Sequence, residues 1–89
     1  MTNKRKNQLP LLRALADPTR WRMLGLIRSG EICACVLPAR VRVSQPAVSQ
    51  HLAVLLSAGL VSLRADGRKR LYSLSPRGRR VLESVEGWK

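Results

Sequence analysis

The sequence has little of what enzymes and membrane proteins need. One histidine and five Asp and Glu residues leave few side chains for acid–base catalysis. No nucleophile–base pair, paired carboxylate motif or glycine-rich phosphate loop is recognisable. No apolar run approaches the roughly 20 residues of a membrane-spanning helix, and the basic start MTNKRKNQ is not followed by the apolar segment of a signal peptide. These absences disfavour an enzyme and a membrane protein, and a cytoplasmic location is expected.

Negative charge is scarce as well. Seventeen Lys and Arg residues against five Asp and Glu give a net charge of +12 at pH 7. Such a balance favours a polyanionic partner, most often nucleic acid. The simpler alternative is that the charge only keeps the protein in solution, but a surface with balanced charges would do so equally well. A chain of 89 residues forms one small domain, which buries only about 60% of its unfolded surface, so pairing with a second copy is an expected source of additional core.

Helical periodicity covers the first third of the chain. Apolar residues at positions 11, 12, 15 and 16 form a short stripe. Asp17 and Pro18 then mark the start of a second helix, as its N-cap and its first-turn proline. This second helix is expected to carry Trp21 into the core and to stop at Gly30.

A proline and a serine cap organise the next segment. Proline is tolerated in a first helical turn but not in a helix interior, so Pro38 indicates a short third helix over about residues 35–40. Residues 42–43 form the turn, and Ser44 caps a longer fourth helix that Gly59 ends. The apolar face of the fourth helix comprises Val48, Leu52, Leu55 and Leu56.

After the fourth helix the apolar period changes from helical to alternating. Two alternating segments, 61–65 and 71–74, flank the Asp66-Gly67 dipeptide, which is a strong signal for a β-hairpin. Ser75 and Pro76 cap a last helix, in which Gly78 is expected to weaken the helix. The order of elements predicts a mainly α fold with a small β-hairpin, a winged helix-turn-helix. It extends over residues 9–89 as a DNA-binding and dimerisation domain, after a flexible basic tail at 1–8.

In this fold the fourth helix enters the major groove and the hairpin lies along the DNA backbone or minor groove. Gln50 points away from the apolar face of its helix and suits bidentate pairing with adenine, while Ala47 could meet a thymine methyl group. Basic residues around the hairpin turn would neutralise phosphates. The predicted DNA-binding residues are Ser44, Gln45, Ala47, Ser49, Gln50, Arg64, Arg68, Lys69 and Arg70.

Simpler interpretations of these residues remain open. Gln50 could belong to an ordinary solvated face of its helix. The basic residues of the hairpin, which forms the wing of this fold, could serve merely to protect an exposed strand edge from pairing with another chain. His51, on the flank of the apolar stripe, is expected to be a hydrogen-bonded residue at the edge of the core. Trp88, close to the end of the sequence, could cover a dimer interface or hang free.

Four segments of the chain together resemble the ArsR/SmtB family of metal-responsive winged-helix repressors. They are ALADPTRWRMLGLI, GEICAC, VSQPAVSQHLAVLLSAGLV and ADGRKRLYSLSP, within residues 9–76. The resemblance implies a cytoplasmic homodimer that binds double-stranded operator DNA, represses its operon and leaves the DNA when an inducer binds. Arsenite sensors of the family carry the box E-L-C-V-C-D-L, often followed by a third cysteine. The chain keeps Glu31, Cys33 and Cys35 of this pattern but has Val36 in place of the Asp and Pro38 in place of the third cysteine.

The two cysteines are therefore the candidate metal ligands. In a regular helix residues two apart face away from each other, but the helix start indicated by Pro38 leaves Cys33 in flexible backbone, where both sulfurs can turn to one ion. A helix N-terminus also lowers the pKa of a thiol. Two thiolates suit As(III) or Sb(III), with a third bond to water, hydroxide or an added thiol, and no cofactor is needed for folding. They are an incomplete site for tetrahedral zinc. The family's second site, which holds zinc through Asp and His residues on the last helix, cannot form, because the sequence's one histidine, His51, belongs to a different helix.

The sequence is compatible with other functions as well. The cysteines could be two small packing residues, or they could respond to oxidants, although a C-x-C disulfide closes a very short ring. In a reducing cytosol free thiols are expected rather than a disulfide. A basic nucleic-acid-coating protein is the alternative from a different class, which the polar, aromatic-free face of the fourth helix disfavours.

Overall fold

A computed structural model describes residues 10–86 of the chain. The predicted basic tail at 1–8 and the predicted role of Trp88 lie outside the described residues. In chain order the elements are α1 (described over 10–16), α2 (Pro18–Arg28), β1 (Ile32–Cys33), a 3₁₀ helix (Ala34–Val36), α3 (Leu37–Val41), α4 (Gln45–Ser57), β2 (Val61–Asp66), β3 (Lys69–Leu74) and α5 (Pro76–Glu86).

The predicted helix starts are made by side-chain caps. The Asp17 carboxylate accepts a hydrogen bond from the backbone N–H of Arg20 at 2.9 Å and so caps α2. The Ser44 hydroxyl accepts from the N–H of Ala47 at 3.3 Å at the start of α4. Each helix then continues with a proline in its first turn, where no N–H is required. Both caps confirm the prediction.

The turn between α3 and α4 depends on Arg42. This residue has the left-handed conformation, φ 60° and ψ 44°, and its N–H donates to the carbonyl of Pro38 at 2.8 Å. The chain thereby reverses in the three residues between Val41 and Gln45. The short α3 and the longer α4 form the predicted helix-turn-helix.

The wing is part of a three-stranded antiparallel sheet in the order β1-β3-β2, and the prediction of a hairpin alone was incomplete. The β2–β3 hairpin closes through Gly67, whose φ of 62° an L side chain rarely adopts. β1 adds two pairs on the other side of β3, Ile32 with Tyr72 and Cys33 with Leu71. The backbone of Cys33 is therefore fixed in a strand, which corrects the prediction that it lies in flexible backbone.

One apolar core joins the helices to the sheet. Met23, Leu24 and Ile27 of α2 are almost fully buried, together with residues from α3, α4, the strands and α5. One predicted position is wrong: Trp21 is 39% exposed rather than in the core. In α1 the side chain of Ala14 is buried, and Leu12, part of the predicted apolar stripe, is 58% exposed.

The start of α5 is fixed by Ser75 and Gly78. The Ser75 hydroxyl accepts a hydrogen bond from the Gly78 N–H at 2.9 Å and donates to the Gly59 carbonyl at 2.6 Å. Gly78 lies so close to the chain that a Cβ there would overlap the Leu60 carbonyl oxygen. Gly78 thus lets α5 approach the core, and the prediction that it merely weakens the helix missed this packing role.

Candidate DNA-binding surface and thiol site

The start of α4 presents polar side chains to solvent. Ser44, Gln45, Ser49 and Gln50 are exposed, and Ala47 is half-buried. The opposite face of the helix holds Val48, Leu52 and Leu55, which are buried. The amphipathic pattern therefore leaves the predicted base-reading side chains free of the core.

A groove of about 400 Å³ lies between the start of α4, the cysteine segment and the wing. It brings together seven of the predicted site residues; Ser44, Ala47, Gln50 and Arg64 are not in its lining. The lining residues are Cys33, Ala34, Cys35, Gln45, Ser49, Leu52, Arg68, Lys69, Arg70 and Tyr72. The two cysteines and the basic wing thus share one concave surface.

Cys33 and Cys35 converge because the backbone changes conformation between them. Cys33 is extended, with φ −74° and ψ 135°, and the 3₁₀ helix begins at the next residue. Their Cα atoms are 5.2 Å apart, and the two sulfur atoms are bonded to each other. The expectation of free thiols is therefore corrected: the structure contains the pair as a disulfide.

The structure describes no group of three or more His, Cys, Asp and Glu side chains that could hold a metal ion within residues 10–86. Once the disulfide is reduced, the donor set at the pair is therefore two thiolate sulfur atoms. Two sulfur donors fit a trivalent, thiophilic ion that takes its third bond from an added ligand, and they do not complete a tetrahedral zinc site.

Arg64 is engaged by an acidic residue next to the cysteines. Its Nε and Nη2 donate to the two carboxylate oxygens of Glu31 at 2.7 and 2.8 Å. This hydrogen-bonded guanidinium holds the pKa of Glu31 below its ordinary value. Arg64 stays a predicted phosphate contact, but two of its N–H groups already bind Glu31, unlike the groove-lining Arg68 and Arg70.

Arg20 connects three helices at the back of α4. Its side chain donates to the carbonyls of Arg13 and Ala14 in α1, at 2.8 and 3.0 Å. It also lies 3.0 Å from Nδ1 of His51 in α4. Because a guanidinium can only donate, Nδ1 accepts this bond. His51 is half-buried and hydrogen-bonded, as predicted for a residue at the edge of the core.

Apolar side chains of α1, α2 and α5 form a separate exposed surface. Leu12, Leu15, Trp21 and Val85 line a shallow cavity of about 320 Å³. Next to it, Leu11, Leu12, Leu15, Val81 and Val85 line a second cavity of about 480 Å³ with two arginines and a serine. Apart from Trp21 of α2, these residues belong to the first and last helices, α1 and α5.

Two site features escaped the sequence reasoning. Strand β1 has two residues, too few to show an alternating pattern, and the β-branched Ile32 is its one sequence signal. The Glu31–Arg64 pair joins residues 33 positions apart, and opposite charges alone do not indicate a contact.

No helix within the described part of the chain is long and apolar enough to cross a membrane.

Comparison with known proteins agrees with this geometry. Residues 17–62 match the family model for bacterial regulatory proteins of the arsR family, from the cap of α2 to the start of the wing. The chain is 40% identical over 65 residues to an arsenical resistance operon repressor of Staphylococcus xylosus, covering 73% of this chain and 62% of that protein. It is 47% identical over 62 residues to a probable mercury resistance operon repressor of Streptomyces lividans, covering 70% of this chain and 50% of that protein.

Among solved structures, NolR from Sinorhizobium fredii superimposes with a TM-score of 0.85 at 30% identity, over 97% of this chain and 87% of that one. This likeness spans the described helices and the wing. Together with the family match over more than half of the sequence, it identifies the chain as a member of the arsR family of bacterial regulatory proteins.

Proposed function

We propose that the chain is a homodimeric transcriptional repressor that As(III) or Sb(III), bound by Cys33 and Cys35, releases from its operator. The observation that carries this proposal is the single groove that both cysteines line together with the start of α4 and the basic wing. The similarity to the arsenical resistance operon repressor of Staphylococcus xylosus supports it. Because the chain spans only 62% and 50% of the two relatives described above, their activities are carried over as part of the proposal.

In the proposed complex α4 lies in the major groove of operator DNA. Gln50 reads an adenine, Ala47 contacts a thymine methyl group, and Ser44, Gln45 and Ser49 contact base edges or phosphates. Arg68, Lys69 and Arg70 contact phosphates from the wing, as does any N–H group of Arg64 that Glu31 leaves free. The exposure of the α4 residues and the net charge of +12 support this docking.

In the proposed mechanism the disulfide between Cys33 and Cys35 is first reduced, as expected in a reducing cytoplasm, and the resulting thiol pair binds the ion. One trivalent ion bound to both sulfurs replaces the contact between them and holds residues 33–35 around the ion. This segment is continuous with α3 and is paired with β3 through Cys33. A change at the sulfurs therefore reaches both DNA-contacting elements, α4 through α3 and the wing through β3, and it favours a dimer that no longer fits the operator.

The apolar surface formed by α1, α2 and α5 supports the homodimer. Leu12 and Trp21 are 58% and 39% exposed in the single chain, and burial of large apolar side chains is the main stabilising term in obligate dimers. Sedimentation of the full chain tests this assignment. Leu12→Asp should shift the equilibrium from dimer towards monomer. The control is Val36→Asp, because Val36 is also an exposed apolar residue but does not line either cavity of this surface, and this variant should stay dimeric.

A second candidate function is a repressor that responds to oxidants. The bond between the Cys33 and Cys35 sulfur atoms is the observation that favours it. In that case the disulfide and the dithiol would differ in operator affinity, with no ion required. Both candidate functions depend on the same two residues, so an experiment that distinguishes them must vary the inducer.

Operator release measured by fluorescence anisotropy tests both candidates. Reduced protein is titrated with arsenite, antimonite, mercury(II), zinc or hydrogen peroxide. Release by micromolar arsenite and antimonite, and not by zinc, is expected, and Cys33→Ser and Cys35→Ser should each bind the operator but no longer respond. Release by peroxide alone would assign the pair to oxidant sensing. Equal affinity for random duplex DNA would contradict the repressor and favour a nucleic-acid-coating protein.

A further inference from the structure

The groove beside the thiol pair is strongly cationic. Arg68, Lys69 and Arg70 line it from the wing, and no Asp or Glu is among its lining residues. The nearest acidic residue in sequence to the cysteines, Glu31, has its carboxylate bound by Arg64. The groove that both cysteines line therefore carries positive charge that no lining group neutralises.

Trivalent arsenic forms three bonds, and the protein supplies two of them. Within residues 10–86 no third metal-ligating side chain joins Cys33 and Cys35. The third bond must be made to a ligand from solution that occupies the groove. At about 400 Å³ the groove lies within the range of about 300–1,000 Å³ typical of small-molecule sites.

From these observations we infer that the third ligand is a small thiol that carries a carboxylate, so that the inducer is bound as a mixed complex. This inference rests on the proposed function and names the ligand class of the same site. The carboxylate of the added thiol pairs with the wing cations, while Gln45 and Ser49 line the groove with further hydrogen-bonding groups.

The chemistry balances without any change of oxidation state at arsenic. Arsenous acid exchanges its three As–O bonds for As–S bonds to Cys33, Cys35 and the added thiol. The three thiol protons leave with the three hydroxide groups as water. The disulfide is first opened by two further molecules of the same thiol, which become a disulfide while Cys33 and Cys35 become thiols.

The mixed complex would also compete with DNA. Its carboxylate occupies the guanidinium and ammonium groups that phosphates use in the repressor–operator complex. The wing would thus hold either the operator or the anionic end of the adduct. Release then follows from shared contacts as well as from the movement of α4.

The test compares three thiols of similar size that differ in charge: mercaptopropionate, mercaptoethanol and cysteamine. Arsenite is titrated into the reduced full chain, without DNA, in the presence of each thiol, and As–S bond formation is followed by near-ultraviolet absorbance. Binding should be about threefold to tenfold tighter with mercaptopropionate than with mercaptoethanol, and weakest with cysteamine. Native mass spectrometry should show arsenic and one added thiol per chain.

The double variant Arg68→Gln/Arg70→Gln should bring the ratio between the anionic and neutral thiols close to one. The matched control Arg22→Gln/Arg79→Gln removes the same charge at two exposed positions outside the groove and should keep the ratio. In the wild type, added salt should reduce the ratio, which tests the charge effect without any substitution. Equal affinities with all three thiols, or a protein–arsenic complex without added thiol, would overturn the inference while operator release by arsenite still stood. Absence of any arsenite binding would overturn both.

Discussion

Arg64 of β2 and Glu31, directly before β1, form a two-point ion pair with N–O distances of 2.7 and 2.8 Å. The pair connects the chain that leads into Cys33 with the base of the wing. It also occupies two of the N–H groups of an arginine whose position near the wing suggests phosphate binding. The pair therefore separates Arg64 from Arg68 and Arg70, which line the groove.

Glu31→Gln should strengthen DNA binding. Loss of the carboxylate frees the Arg64 guanidinium, so the slope of log affinity against log salt should become steeper by up to about one unit. Arg64→Gln in the wild-type background should change the slope less than Arg68→Gln does. Anisotropy titrations over a range of salt concentrations give both slopes. Equal effects of the two arginine substitutions would show that Glu31 does not restrain Arg64.

The stability that the Asp17 cap contributes to the fold should decrease in acid. The Arg20 backbone hydrogen bond and the nearby positive charge hold the pKa of Asp17 below its ordinary value. A group whose pKa is lower in the folded state contributes stability above its unfolded pKa, and this contribution is lost as pH falls through the folded value. Asp17→Ala should cost about 1 kcal/mol at neutral pH and a smaller amount at about pH 3. Urea unfolding at the two pH values measures the difference, and an identical cost at both would contradict the ionised cap.

Gly78→Ala should destabilise the fold by about 1–3 kcal/mol or more, because the added methyl group must displace either α5 or the Leu60 carbonyl. Gly25→Ala is the matched control. Gly25 lies in α2 with no atom near the position of an added Cβ, so alanine should stabilise that helix by up to about 1 kcal/mol. Thermal unfolding of both variants measures the contrast. A neutral Gly78→Ala variant would show that α5 is not held against residue 60.

Gln50 and Arg68 should contribute to DNA binding in different ways. Gln50→Ala should cost about 1–3 kcal/mol on the cognate operator and little on random duplex DNA, because it removes a base contact. Arg68→Ala should weaken binding to both DNAs alike and lower the salt slope by about one unit. Parallel titrations on the two duplexes provide the measurement. A change of preferred base in the Arg68 variant would assign sequence reading to the wing.

Local signals predicted much of the fold because the forces involved are local. The caps made by Asp17 and Ser44 need only the next few residues, and Gly67 closes the hairpin through its own backbone. The buried face of α4 follows from its helical period, and three of its four predicted residues are buried. These features require no knowledge of distant parts of the chain.

Features that depend on distant partners were not predictable in the same way. Trp21 is apolar and belongs to a helical stretch, but in the folded chain it is 39% exposed and lines a cavity with residues of α1 and α5. Strand β1 exists because β3, almost 40 residues later, offers it a pairing edge. The groove likewise depends on tertiary packing, which places the cysteines opposite a wing that the sequence separates from them by more than 30 residues.

The brevity of β1 has a consequence for how the protein opens. β1 pairs with β3 over two residues, whereas β2 pairs with β3 over six. In native-state hydrogen exchange, short outer elements open before long ones do. The segment that carries Cys33 can therefore detach as its own cooperative unit while the wing hairpin stays closed.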